Sequence, residues 1–459
     1  MEFAYLLIRL LKIFMNFKTF NFINLKKYRY MFLLLIMVLG FVLRSNNLYT
    51  WPRLGATFDE YAWTWQGISI IQNHVPISWS PLSPYKDVKN ITYQKTHFFI
   101  VKPYLEHPPL FGLVAGSYAL LNGAKGMFDV NLHDIRGLAL LLGVLSIFMV
   151  YVFAAEVYDY KIGLLGSLIY ATVPTIVVGS RLVENENFFI PFFLLALYLI
   201  SKYLKTKNPW LRNLAAIICG LLALAKVPWL AGAMAIVLIF FYLRKYKDAG
   251  KFLAIVIPLF LLYFAYGFYY NGSLFLNLMS FQLQRYDLTF NSIFALFTSP
   301  YLADRFTVDG WIYFGWFAVF LLSVKDFKKN FMVLLPFLVY FAVFVFAIPN
   351  EPLHGWYRYP FYPFLAISTA LFLKEYFNKN YILTFFFLIF TGLSMLQLSW
   401  AQSLGFSFLV FRGFLILFGL SMLPYFFPKT NKISTITSYI SIVLIFIMNI
   451  WSIFNYNEQ

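Results

Sequence analysis

The sequence predicts an all-α polytopic membrane protein of about thirteen transmembrane helices, with interfacial helices in its first outer loop. Three observations carry this. Of the 459 residues, 61% are hydrophobic and 22% aromatic, and only 12% are charged. A soluble domain runs at about 45–50% apolar and about 25% charged, so the apolar surplus here exceeds what a water-facing surface can cover. The apolar residues fall in long runs, and the net charge of +17 collects in short segments between them. Disorder, collagen, a disulfide scaffold and an ordinary soluble enzyme are excluded, and the positive charge reads as cytoplasmic loops rather than as a nucleic-acid surface.

A crossing helix needs about 20 mostly apolar residues. Residues 1–27 form an apolar arm containing Arg9 and Lys12, expected to lie as an amphipathic helix on the inner leaflet. A cleaved signal peptide fits less well, because no small-residue cleavage site follows the first span. The runs expected to cross are 28–43, 135–154, 162–179, 188–204, 211–225, 227–243, 252–270, 311–323, 331–348, 361–373, 381–400, 406–423 and 433–454. The apolar stretch 108–122 is left out: it is short, opens with Pro108-Pro109 and contains Gly112 and Gly116. With a cytoplasmic N-terminus, this layout puts 22 of the 36 Lys and Arg inside, as the positive-inside rule requires. Letting 108–122 cross would turn every later basic cluster outward. The chain then divides into the arm 1–27, a core 28–373 that includes the outer loop 44–134, and C-terminal helices 374–459. Cys219 is the single cysteine, so no intramolecular disulfide forms.

The inner loops are short and carry no phosphate-binding motif, whereas 44–134 and 271–310 are long, so the working face is expected outside. Its charged residues cluster. Asp59-Glu60 opens a helix-like run; the bland reading is capping and dipole compensation, worth ~0.3–1 kcal/mol. Glu106-His107 precedes Pro108-Pro109, which fixes the backbone direction. Ser180-Arg181-Leu182-Val183-Glu184-Asn185-Glu186-Asn187 packs an Arg and two carboxylates into one tight turn. His354-Gly355-Trp356-Tyr357-Arg358-Tyr359-Pro360 heads a late span, where aromatic residues also serve as interface anchors. Carboxylates from two loops and cations from two others suit a reaction in which a nucleophile loses a proton while a phosphate departs. One general base contributes typically 10²–10⁴-fold, and fixed cations stabilise the leaving charge. A departing phosphate needs no general acid.

These motifs resemble the polyprenyl-phosphate-dependent glycosyltransferases of the GT-C fold, specifically the protein O-mannosyltransferase and aminoarabinose transferase group (glycosyltransferase family 39-like). The resemblance rests on Asp59-Glu60, Glu106-His107-Pro108-Pro109-Leu110, Arg181 with Glu186, Gly220-Leu221-Leu222-Ala223-Leu224-Ala225-Lys226 and Arg358-Tyr359-Pro360, in the family's order. It implies a membrane glycosyltransferase that moves a sugar from a polyprenyl-phosphate donor to a lipid, glycan or protein acceptor at the outer face of the bilayer. Asp59 would be the catalytic base and Glu186 the second catalytic acid. His107, Arg358 and Lys226 would hold the donor phosphate, with Glu60, Glu106, Arg181 and Tyr357 in support. Glu184 is an extra acid without a counterpart in the family. Two features depart from the pattern: the luminal carbohydrate-binding domain of the eukaryotic mannosyltransferases has no equivalent here, and His107 stands where some relatives carry lysine.

No organic cofactor is expected. Asp59, Glu106 and Glu186 are hard carboxylates able to hold a divalent ion such as Mg²⁺, Mn²⁺, Ca²⁺ or Zn²⁺, although a cation-lined phosphate site can also work without one. The competing class is a secondary transporter or lipid flippase. Transporters place ionisable residues at mid-membrane and show inverted repeats. Here such residues sit at span ends, Arg412 apart, and no repeat is visible.

Overall fold

A computed structural model describes residues 25–284, 293, 296, 309–347, 355–395 and 407–455. Nearly all of the expected N-terminal arm, most of the second long outer loop and His354 lie outside the described residues. The chain opens with α1 (Leu25–Ser45) and α2 (Asp59–Asn73), followed by β1 (Ser78–Trp79), β2 (Val88–Tyr93), β3 (Thr96–Val101) and α3 (Leu110–Leu121). Long helices follow: α4 (Leu132–Val157), α5 (Tyr160–Thr172), α6 (Pro174–Gly179), α7 (Asn185–Thr206), α8 (Pro209–Ala223), α9 (Leu230–Tyr242) and α10 (Tyr246–Gln284). The remainder is α11 (Gly310–Ala347), α12 (Tyr362–Glu375), α13 (Tyr381–Met395), α14 (Phe408–Gly419), α15 (Leu423–Phe426) and α16 (Asn431–Asn455).

Each of the thirteen apolar runs overlaps a helix, but helices and runs do not correspond one to one. Pro174 lacks the N–H needed to continue α5, so the run 162–179 splits into α5 and α6. The runs 311–323 and 331–348 share α11, which bends at Asp326 (φ −160°, ψ 79°). Among the described residues, seven helices are long and apolar enough to cross a bilayer. Large side chains such as Leu34, Phe268, Tyr269 and Leu409 stand exposed on α1, α10 and α14, which suits faces turned to lipid rather than to water.

The helical fold carries one small addition of strands. The first outer loop holds a small antiparallel sheet in the order β1-β3-β2, with Lys89 opposite Ile100 and Tyr93 opposite Thr96. Its hairpin turns through Gln94 and Lys95, both at positive φ (46° and 67°), as a two-residue type I′ turn requires. Val88, Ile91, Thr92 and Tyr93 against Thr96, Phe98, Phe99, Ile100 and Val101 are β-branched and aromatic residues, which favour a pleated half-buried surface over a helix.

The approach of α2 to α3 places the candidate base. A Cβ added to Gly67 would lie 1.8 Å from the Gly112 carbonyl oxygen, and one on Gly116 would lie 2.5 Å from the Ile68 nitrogen. The two backbones touch, and only glycine fits at that crossing. At its N-terminus α3 is tied to the segment before Lys226 by a 3.0 Å hydrogen bond from Leu110 N–H to the Leu224 carbonyl.

Candidate active site

The first turn of α2 carries Asp59 and Glu60, whose side chains leave the helix about 100° apart. Glu60 is fully buried and fully engaged. Arg136 on α4 grips it with two bonds, Nε to Oε1 at 3.1 Å and Nη2 to Oε2 at 2.9 Å, and Val183 N–H adds a third at 3.0 Å. The same guanidinium donates to the Leu48 and Pro52 carbonyls. Glu60 is thus the anchor that fixes α2 against α4 and the loop leaving α1. Arg136 escaped the sequence reading, although an arginine just inside an apolar run is a costly placement that signals a buried partner.

Asp59 faces another way, into a cluster built by the turn before α7 and the segment before α9. Lys226 Nζ lies 2.8 Å from Glu186 Oε1, with both side chains buried. Three aromatic rings surround the ammonium: Tyr357 at 4.8 Å, Trp229 at 5.7 Å and Trp63 at 5.8 Å from their centroids. Asn185 holds this corner together, donating to the Ala225 carbonyl at 2.8 Å and accepting from Trp229 Nε1 at 2.7 Å. Burial pushes the Asp59 carboxyl up to about 6; Lys226 opposes the rise, and Glu186 and Glu60 add to it. Burial works against the Lys226 charge, but Glu186, Tyr357 and Asp59 hold its ammonium above the usual lysine range.

Glu184 is the residue that sequence reasoning undervalued. It is completely buried, and its Oε2 accepts from Trp63 Nε1 at 3.4 Å. Burial, then the charges of Asp59 and Glu186, raise its carboxyl well above the usual range. Glu184 Oε1 and Glu186 Oε2 are buried without a hydrogen-bond partner among the described residues. The visible signal was its place two residues before Glu186 in a turn with more charge than a hairpin needs.

The other expected residues surround this cluster in different roles. The His107 ring lies 4.9 Å from Trp63, and its carbonyl accepts from Gln66 Nε2 at 3.2 Å. Glu106 is buried and hydrogen-bonded to the Tyr104 hydroxyl. Arg181 is buried and points back to the scaffold, donating to the Leu43 carbonyl at 2.8 Å and the Trp51 carbonyl at 3.2 Å. Tyr357 lies against Lys226, and its carbonyl accepts from Tyr340. Arg358, next in the short 3₁₀ helix Gly355–Phe361, is buried beside Tyr313, Tyr359 and Tyr362. Tyr359 in turn lies near Glu184 and Glu186, which brings the late segment to the carboxylate cluster.

The possible metal set does not come together. Among the described residues, no three His, Cys, Asp or Glu side chains are placed to hold a metal ion. Glu186 is instead paired with Lys226, and Glu106 is bound to Tyr104. The fixed positive charge next to Asp59 is an ammonium.

Comparison with known proteins bears on the family and the fold. A family model for dolichyl-phosphate-mannose-protein mannosyltransferases matches residues 106–270. That stretch contains Glu106, His107, Arg181, Glu184, Glu186 and Lys226, and leaves out Asp59 and Arg358. No curated protein matches the chain in sequence. Among solved structures, ArnT from Cupriavidus metallidurans bound to undecaprenyl phosphate is similar with a TM-score of 0.56 at 14% identity, over 94% of this chain and 77% of that one. The archaeal oligosaccharyltransferase AglB from Archaeoglobus fulgidus, in complex with an inhibitory peptide and a dolichol-phosphate, gives a TM-score of 0.50 at 14% identity over 95% of this chain. The chain spans 57% of the length of that oligosaccharyltransferase. The expected likeness to the GT-C membrane glycosyltransferases is therefore present, in sequence across 106–270 and in fold across nearly the whole chain.

Proposed function

We propose that this chain, folded as the GT-C membrane glycosyltransferases are, transfers a sugar from a polyprenyl-phosphate donor to an acceptor at the outer face of the membrane, with Asp59 as general base. The observation that carries the reading is the division of labour in the first turn of α2. Glu60 is consumed by Arg136 and Val183, while Asp59 is turned to the Lys226–Glu186 pair with its carboxyl poised at about 6. A base near that value is ionised at neutral pH yet still basic enough to take a proton in the transition state.

The step balances simply. An acceptor hydroxyl oxygen forms a bond to the sugar's anomeric carbon and its proton passes to Asp59. The bond from that carbon to the phosphate oxygen breaks, and the polyprenyl phosphate leaves as an anion. Lys226 has three N–H donors, one of them engaged by Glu186, and with Arg358 and His107 it would stabilise that anion. The unpartnered oxygens of Glu184 and Glu186 cost ~1–3 kcal/mol each while they remain unsatisfied. Acceptor or sugar hydroxyls would satisfy them, which gives the site affinity for a polyol. The positive-inside distribution, read with a cytoplasmic N-terminus, supports the outer side for this cluster.

The test is Asp59→Asn in purified protein supplied with a polyprenyl-phosphate sugar. The amide keeps the shape but takes no proton, so turnover should fall at least ~10²-fold. Donor binding should persist, because the base acts on the acceptor. Near-normal turnover would remove Asp59 from the mechanism.

A further inference from the structure

We propose that the chain has a second ligand site, separate from the carboxylate cluster, which binds the anionic headgroup of an outer-leaflet lipid. It is an open groove of about 600 Å³ between Asn73 at the end of α2, the β2–β3 hairpin and the short 3₁₀ turn Met127–Asp129. Strand register explains its character. Lys89 pairs with Ile100, and Ile91 with Phe98, so alternation sets these four residues on one face of the sheet. Phe98 meets Phe58 and Trp65 edge-on at 5.2 and 5.0 Å, so this face looks onto α2. Beyond Asn73 the helix stops, and the inward face at Lys89 and Ile100 opens into the groove.

Three exposed lysines converge there: Lys86, Lys89 and Lys102. None of them forms an ion pair among the described residues, and Asp87 is the single acid in the lining. An inward lysine on an edge strand can serve simply to block strand pairing. That accounts for Lys89 on β2, but not for Lys102 just past the central strand, nor for Lys86 between β1 and β2. Beside the lysines lie Met127 and the half-exposed Phe128, an apolar floor that a small soluble anion would not use. Cations next to an apolar floor complement an amphiphile with an anionic head.

The bilayer is the source. Tyr270, the last residue of the apolar run 252–270, donates its hydroxyl to the His74 carbonyl at 3.0 Å, so the end of α2 stands level with the outer end of that run, where α10 bends at Asn271. The groove is also distinct from the reaction centre. Fourteen residues along α2 separate Asn73 from Asp59, about 21 Å at 1.5 Å per residue. The inference rests on the outer-face orientation proposed above and is independent of which residue is the base.

The experiment titrates the purified full chain, in neutral maltoside detergent, with dodecyl phosphate and separately with inorganic phosphate, binding being read by phosphorus NMR. Dodecyl phosphate should bind and inorganic phosphate should bind at least ~10-fold more weakly. Combining Lys86→Gln, Lys89→Gln and Lys102→Gln should weaken dodecyl phosphate by ~100-fold at low salt, roughly fivefold per lysine. Wild-type affinity in the triple variant, or inorganic phosphate binding as tightly as dodecyl phosphate, overturns the proposal. Loss of binding in Arg358→Lys with retention in the triple variant would put the probe in the central site and also overturn it. Because transfer is not measured, failure here leaves the Asp59 reading standing, and failure of Asp59→Asn leaves the groove standing.

Discussion

Gly67→Ala should damage catalysis from a position that touches no substrate. A Cβ at Gly67 would lie 1.8 Å from the Gly112 carbonyl, whereas ordinary van der Waals contact begins near 3.4 Å, so α2 and α3 would have to part by about 1.6 Å. The obstacle is backbone on both sides, and no side chain can swing away to absorb it. Overpacking of this kind costs typically ~1–3 kcal/mol. The larger effect is positional. Glu60 is held by Arg136 and Val183 while the middle of the helix is pushed off α3, so α2 must tilt and carry Asp59 away from Lys226. A misplacement of about 1 Å can cost ~10²-fold in rate, and a loss of ~10- to 100-fold in kcat is expected here. The assay is single-turnover transfer with saturating polyprenyl-phosphate sugar, paired with a thermal melt. Gly250→Ala, which would meet nothing within 4 Å, is the control and should retain full rate. If Gly67→Ala turns over normally with an unchanged melt, the glycine crossing does not position the base and this reasoning fails.

Three further outcomes are expected. Because burial lifts the Asp59 carboxyl to about 6, kcat/KM should fall as pH drops through about 6, where the base gains a proton; Lys226→Gln removes the charge opposing that rise and should move the acid limb to higher pH, and a limb left at the carboxylate's usual value in wild type would contradict the assignment. Arg136→Gln leaves the buried Glu60 carboxylate uncompensated and should destabilise by ~3–5 kcal/mol, read as a large drop in melting temperature; an unchanged melt would show that the pair does not anchor α2. In whole cells, cysteine at the exposed position Asn90 should react with an impermeant thiol reagent and cysteine at the exposed position Lys251 should not; the reverse pattern would invert the proposed orientation.

The chain's hydropathy alone determined that this is a helical membrane protein and roughly where its helices lie, because the cost of leaving apolar surface in water accumulates residue by residue along a run. The order of its charged motifs likewise pointed to one outer site containing Asp59, Glu186 and Lys226. Tertiary structure decided who pairs with whom. Glu60 meets Arg136 across 76 residues, Trp63 meets Glu184 across 121, and Arg181 turns away to the backbone at Leu43 and Trp51. The interfacial helices expected in the first outer loop form as α2 and α3, whereas the β2–β3 hairpin between them is held by the hydrogen bonds of its ladder and by its packing on α2. Adjacent acids such as Asp59 and Glu60 have nearly the same sequence surroundings. Their different duties arise because a helix sends neighbouring side chains about 100° apart, and only the packing of α2 on α3, α4 and α7 decides which direction meets Arg136 and which meets Lys226.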